Sequence, residues 1–510
     1  MNIVFTLLLP HLSRWKSLSI LTDCWAPMYT ALTAINPFIT RFGAPLLESL
    51  SLMRCNDLIS FSPLFQPHHL KEPKFLNRDT THHHQTNSDL EWCSNMIPSL
   101  KYLSLRGVHV DWDTLGDSLS TSETGLTSLE LASHSHDVRP SPYQFHKILS
   151  SSSGLRNLVL SASGPSSEDD TLSSADDGTD YVPVHLPHLR NITIGYRTAV
   201  EGRIALGLID APNTKELVLE DATYVGDPDV INAGPLLSYI GTRQFGEAHQ
   251  NHRITASSQL NLGHHHQTAL VAAEKPLMMN SSIPCIHVDK DAESRRTAAI
   301  AAAAFPLLES VTLRGVKSCS QPLRIFLGSL SNLQHLELTR MSMQAIHALL
   351  PSVVQITHDD CYTTNLNCPC PQLRSLCIRS FERLDSQDVD FIIKSLPVER
   401  QIKGGACQLR EVDIYVDAAS AVAAVATCGG DGGVVVLPQA APNMKVNIIN
   451  DSSDDDEDED EDDGDVGGGD YYYDDDYEDG HGLEDPYEPG GAFNDPLFDE
   501  YYSLHFQTAR

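Results

Sequence analysis

The sequence predicts an α/β solenoid of horseshoe form with irregular repeats, followed by a disordered acidic C-terminal tail. Three observations predict it. One short apolar phrase recurs in a shared register, its copies stand one strand plus one connector apart, and the last stretch of the chain has a composition unlike the rest. The phrase is clearest in Leu100-Lys-Tyr-Leu103-Ser-Leu105, Leu126-Thr-Ser-Leu129-Glu-Leu131 and Leu155-Arg-Asn-Leu158-Val-Leu160, each apolar at its first, fourth and sixth positions. A strand with two inward leucines cannot bury that face alone, so copies at intervals of roughly 20 to 29 residues must stack into one parallel sheet.

Taken in order, the copies begin at Trp15, Leu18, Ile20 and at Leu47, Leu50, Leu52. After the three clear ones come Leu189, Ile192, Ile194 and the weaker Leu217, Leu219. Four more follow an interruption: Leu308, Val311, Leu313; Leu333, Leu336, Leu338; Leu373, Leu376, Ile378; and Leu409, Val412, Ile414. Any one of them would serve equally as an ordinary buried strand or an amphipathic helix, but a register shared by all eleven is that of a leucine-rich repeat.

The domain organisation follows from where the phrase stops. Residues 1–66 hold the N-terminal repeats, with a helix over about Pro27 to Arg41 and a turn at Gly43 to Pro45. Residues 67–90, rich in histidine and polar side chains, read as an exposed loop; 91–226 are the central repeats, broken by a Ser, Asp and Gly stretch from Ser161 to Asp180. Residues 227–304 are a low-complexity insertion, with a lone helix near Gly234 to Gly241 and an alanine-rich one over Thr297 to Ala304. Residues 305–450 are the C-terminal repeats and cap, with helical connectors at Met343 to Leu350 and Asp388 to Leu396 and an edge strand at Met444 to Ile448. Residues 451–510 are the tail, too charged and too poor in apolar residues to offset ordering entropy.

The net charge of −33 is concentrated in that tail, which carries 24 acidic residues against one arginine; residues 1–450 are only mildly acidic. Such a body lacks the clustered lysine and arginine of a nucleic-acid binder. Eleven scattered cysteines predict reduced thiols packed as small apolar groups, as Cys377 between Leu376 and Ile378, in a cytoplasmic or nuclear protein. The apolar start, Met1 to Pro10, has neither a basic flank nor a small-residue cleavage site and is expected to be the helix before the first strand. No run reaches the roughly 20 apolar residues of a membrane span. The acceptor triplets at Asn191 and Asn280 carry weight only in a secreted protein.

Signatures of chemistry are sparse. The chain contains no G-x-x-x-x-G-K-[ST], H-E-x-x-H or G-x-S-x-G, and the glycines from Gly429 to Gly433 do not stand between a strand and a helix. His134, His136 and Asp137 fall in a stretch that reads as a polar loop, and the histidine triplets at 82–84 and 264–266 fall in low-complexity sequence. Cys361, Cys368 and Cys370 with His358 are the one cluster with zinc-ligand chemistry, but without CxxC spacing or a second pair. A non-enzymatic protein is expected, with no catalytic residues, no metal and no cofactor; the competing reading is an enzyme or metal-binding protein built on the Cys361 to Cys370 cluster and His358.

On this reading function lies on the concave sheet, at the positions that alternate with the buried ones. Tyr102, Arg106, Glu130, Arg314, His335, Glu337, Arg379 and Tyr415 stand at such positions. Their mixture of charge with tyrosine and arginine suits a protein partner and not an apolar ligand. A monomer is expected, with no membrane or nucleic acid as partner. Ser452 and Ser453 each have an acidic residue three positions on, a pattern suited to acidophilic kinases.

The stretches Leu8 to Ile20, Gly43 to Leu52 and Cys370 to Ile378 resemble the leucine-rich region of fungal F-box proteins, especially those of the large basidiomycete families, over most of residues 8–450. The resemblance implies a substrate receptor, in which an F-box binds the adaptor of a cullin ubiquitin ligase and the repeats recruit the substrate. No F-box is visible before the first phrase, which suits either an F-box encoded upstream of Met1 or a stand-alone repeat scaffold.

Overall fold

The computed structural model of the chain describes residues 2–55, 64–72, 74–77, 96–121, 125–166, 181–223, 231–243, 303–358, 361–381, 384–416 and 444–450. Its strands are β1 (Ser17–Thr22), β2 (Ser49–Arg54), β3 (Tyr102–Arg106), β4 (Ser128–Ala132), β5 (Asn157–Ser161), β6 (Val184–His185), β7 (Asn191–Tyr196) and β8 (Ile209–Asp210). They continue with β9 (Glu216–Asp221), β10 (Ser310–Arg314), β11 (His335–Thr339), β12 (Ser352–His358), β13 (Cys361–Asn367), β14 (Ser375–Arg379), β15 (Glu411–Val416) and β16 (Lys445–Asn450). Twelve of them form one parallel sheet in chain order, β1-β2-β3-β4-β5-β7-β9-β10-β11-β14-β15-β16. Each of the eleven phrases supplies one strand of this sheet, and β16 closes it.

The alternation in the sequence dictates which face is buried. The second and fourth residues of each strand, such as Leu103 and Leu105, Leu158 and Leu160, Leu336 and Leu338, are almost fully buried, while their neighbours are half-buried or exposed. The connecting helices cover the buried face. Helix α1 (Asn2–Leu8) buries Phe5, and α2 (Trp25–Phe42) buries Met28, Ile35 and Ile39. Helices α3 (Trp112–Ser120), α4 (Pro142–Ser150) and α5 (Ala199–Gly207) each start at a side-chain cap that satisfies a first-turn N–H, supplied by Asp111, Ser141 and Thr198. Helix α6 (Gly234–Thr242) stands where a lone helix is expected, and the helices Ser320–Ser329 and Met343–His347 follow.

Two backbone devices repeat along the sheet. At the strand starts, one carbonyl accepts two N–H donors from the next unit: Lys16 from Glu48 and Ser49, then Glu48 from Lys101 and Tyr102, and so on to Arg374 from Arg410 and Glu411. This ladder crosses the longest interruption intact, because Lys215 O accepts from Glu309 N, 94 residues away, at 2.9 Å, and from Ser310 N at 3.0 Å. At the strand ends the chain turns through the left-handed region, at Gly107, Ser133, Ala162, Gly315, Arg340 and Ser380. The N–H of the first five reaches the strand-end carbonyl of the following unit, as Gly107 N to Ala132 O and Gly315 N to Thr339 O, both 2.8 Å.

Several local expectations change. Within 67–90, the described part is not an exposed loop throughout: His68 and His69 face solvent, but Phe75 and Leu76 are buried, and Phe75 bridges to Val110. Asn36 on α2 holds this segment, accepting from Leu76 N and donating to Asn77 O. Two apolar side chains inside a polar composition suffice to pull the strap onto α2. The stretch from His134 is likewise no exposed polar loop throughout: His134 and Ser135 are buried, and His134 meets Ser163 Oγ at 3.0 Å and Val108 O at 2.9 Å, while His136 and Asp137 are half-buried. The connector after β14 runs Ser386–Asp390, Phe391–Ser395, Leu396–Val398 and Glu399–Lys403, alternating α and π turns. Ala303 and Ala304 are not helical, and the rest of the alanine-rich segment, most of the insertion, both histidine triplets, Gly429 to Gly433 and the acidic tail lie outside the described residues. Among the described residues seven cysteines are free, and no helix is long and apolar enough to cross a membrane.

Candidate interaction surface

The twelve strands pair without stagger, so the residues that alternate with the core line up in three straight rows. The first row contains Tyr102, Asn157, Asn191, His335 and Glu411, the second Ser104, Glu130, Thr312, Glu337, Cys377 and Asp413, and the third Arg106, Glu220, Arg314, Arg379 and Tyr415. All eight predicted positions therefore face the same way. At the N-terminal end the rows are mostly small hydroxyls, Ser17, Ser19, Ser49, Ser51 and Ser104; charge accumulates from β9 onward.

The sheet divides the eight into two groups. Tyr102 (51 % exposed), Arg106 and Glu130 lie on β3 and β4, where Ser104 Oγ donates to Glu130 Oε2 at 3.0 Å. Four strand steps separate β4 from β10, about 19 Å at the usual strand spacing. Arg314, His335, Glu337, Arg379 and Tyr415 form the second group, and three of them touch. The Arg379 guanidinium lies 4.0 Å from the centroid of the Tyr415 ring, its Nη2 donates to Tyr415 Oη at 3.1 Å, and its Nε is 3.7 Å from Glu337 Oε1. Stacking on an aromatic face holds the guanidinium plane in one orientation. Asp413 accepts from Asn447 Nδ2 at 2.5 Å, so the polar cluster runs to the last strand.

The sequence reading placed Cys377 among packed apolar groups. It stands instead in the second row, half-buried between Glu337 and Asp413, and accepts a hydrogen bond from Arg379 Nε at 3.5 Å. The reason is parity: Leu376 and Ile378 point inward, so the residue between them must point outward. Burial pushes its thiol above the ordinary cysteine range, which keeps it protonated and a poor nucleophile. Arg340 and Asn447 also belong to this surface and were missed, because each lies just outside or late in its phrase.

The zinc-type cluster is not brought together. His358 and Cys361 are backbone register partners at the tip of the antiparallel β12–β13 hairpin, whereas Cys368 follows at its base, about 23 Å along an extended strand. Cys370 is fully buried under the repeat, its thiol pushed up to about 12 by that burial and facing Leu327 O. Among the described residues no group of three or more His, Cys, Asp or Glu side chains is arranged to hold a metal ion. Compared with known protein families and with curated proteins, the chain matches none.

Proposed function

We propose that the chain is a leucine-rich-repeat horseshoe that recognises another protein through the exposed face of its sheet, without catalysis. The role is that of a substrate receptor, as the resemblance to F-box proteins implies, and the cullin-ligase adaptor is the expected link if an F-box precedes this sequence. The main support is the Glu337, Arg379 and Tyr415 cluster, an oriented arginine and tyrosine in a half-exposed polar setting on β11, β14 and β15. Arginine and tyrosine are the side chains most often responsible for binding energy in protein interfaces.

The test is affinity capture from a eukaryotic cell extract with the wild type, with Arg379→Ala and Tyr415→Ala, and with Lys147→Ala on the opposite, helical face as control. A partner held by the wild type and the control and reduced at least tenfold by the sheet variants is the expected result, each anchor contributing roughly 2 kcal/mol. A partner set insensitive to both sheet variants overturns the reading. Absence of a cullin adaptor from captures that retain the partner favours the stand-alone scaffold over the ligase receptor.

A further inference from the structure

The carboxyl ends of β10, β11 and β14 carry three guanidinium groups within two strand steps of each other, those of Arg314, Arg340 and Arg379. Two have acidic neighbours, but loosely: Arg340 is 3.7 Å from Glu220 and Arg379 is 3.7 Å from Glu337, with both arginines nearly half-exposed. Exposed pairs at that distance contribute between nothing and about 1 kcal/mol and exchange readily for other anions. Arg314 pairs with no carboxylate among the described residues.

The chain leaves the sheet beside this rim. Strand β16 ends at Asn450, at the same carboxyl edge, two strand steps from β14 and four from β10, or about 10 and 19 Å. The next residues include an unbroken run of ten acidic side chains, Asp454 to Asp463. At about 3.3 Å per residue, the four residue steps to Asp454 are long enough to span the distance to Arg379 and the seven to Glu457 that to Arg314. A tether this short corresponds to a millimolar effective concentration, so contacts too weak to hold a free peptide are populated within the chain.

We propose that the rim formed by Arg314, Arg340 and Arg379 takes the chain's own acidic run, beginning at Asp454, as an intramolecular ligand. The carboxylates of the run replace Glu220 and Glu337 as arginine partners and give Arg314 its missing one. The contact covers part of the surface proposed above for a protein partner, but it stands whether or not a foreign partner binds there.

The test uses a fluorescein-labelled peptide of residues 451–463 and three full-length proteins, read by fluorescence anisotropy with no other protein present. The first is the wild type. The second has the acidic run neutralised, Asp454→Asn, Glu457→Gln and likewise through Asp463, and the third adds Arg314→Gln and Arg379→Gln. The second protein should bind the peptide at least tenfold more tightly than the wild type at low salt, and the third should return to the wild-type level. Raising salt to about 0.5 M, where the screening length falls to a few ångströms, should abolish the difference. Equal binding by the first two proteins, or binding by the third as tight as by the second, overturns the proposal. Circular dichroism of all three verifies that these surface changes leave the fold intact.

Discussion

Arg139 and Glu201 form an ion pair of 2.9 Å between side chains only 3 % and 7 % exposed, tying the turn after β4 to the first turn of α5. Glu201 also accepts from the backbone of Gly164 and Arg197, both at 3.0 Å, so one carboxylate joins three consecutive units.

Removing it strands a buried guanidinium and two backbone donors. Glu201→Ala should therefore lower stability by about 3–5 kcal/mol. Glu48→Ala, which breaks the exposed 3.4 Å pair with Lys101, should cost less than about 1 kcal/mol. Urea denaturation midpoints of the two variants check the contrast.

Acid should destabilise the fold through two histidines. Burial lowers His109 to about 4 and His134 to about 3, from an ordinary value near 6.5. Both are neutral in the fold, so the unfolded chain binds more protons below pH 6.5. Their stabilisation is complete above that pH and is lost as pH falls through 6.5 towards 4, by about 1.4 kcal/mol each at pH 5.5. Measured unfolding free energies at pH 7.5 and 5.5 should show the loss, and His134→Gln should reduce the pH slope by one proton.

Left-handed turns occupied by residues with a Cβ are strained by about 1 kcal/mol. Ala162 has φ +51° and Ser133 φ +57°, so Ala162→Gly and Ser133→Gly should be neutral or stabilising by up to that amount. Gly107→Val should do the reverse, because its φ of +61° is one that a β-branched side chain adopts only with strain. Thermal melts of the three variants give the signs directly.

Arg400 is 1 % exposed and donates to Leu349 O, Pro369 O and Cys370 O at 2.7–2.9 Å, spanning the base of the β12–β13 hairpin. Arg400→Met keeps the volume but deprives three carbonyls of their donor, at a cost of about 2–4 kcal/mol. The loss should be local, and hydrogen exchange should accelerate in β14 and β15 while β3 to β5 stay protected.

The strands were legible in the sequence because a six-residue phrase with fixed apolar positions leaves one arrangement that buries every leucine. The surface followed from the same parity, and the misplacement of Cys377 came from setting parity aside in favour of residue type. What the phrase does not encode is the return path. Ser133, Ala162 and Arg340 turn left-handed with no glycine to mark them, since the donor that each unit presents to the next sets the conformation. His134 and Phe75 lie in stretches whose average polarity hides one or two buried side chains, and windowed composition cannot resolve single contacts.

The seam between β9 and β10 has an architectural consequence. Leu217 and Val311 pair as closely as Leu336 and Leu376, yet the chain joining the first two is more than twice as long. Lengthening a closed loop from about 25 to about 94 residues adds only about 1 kcal/mol of closure entropy. The seam thus works as a socket: the sheet hardly registers how much chain is plugged in there, and lineages or engineers can exchange that cargo while the scaffold goes on folding around it.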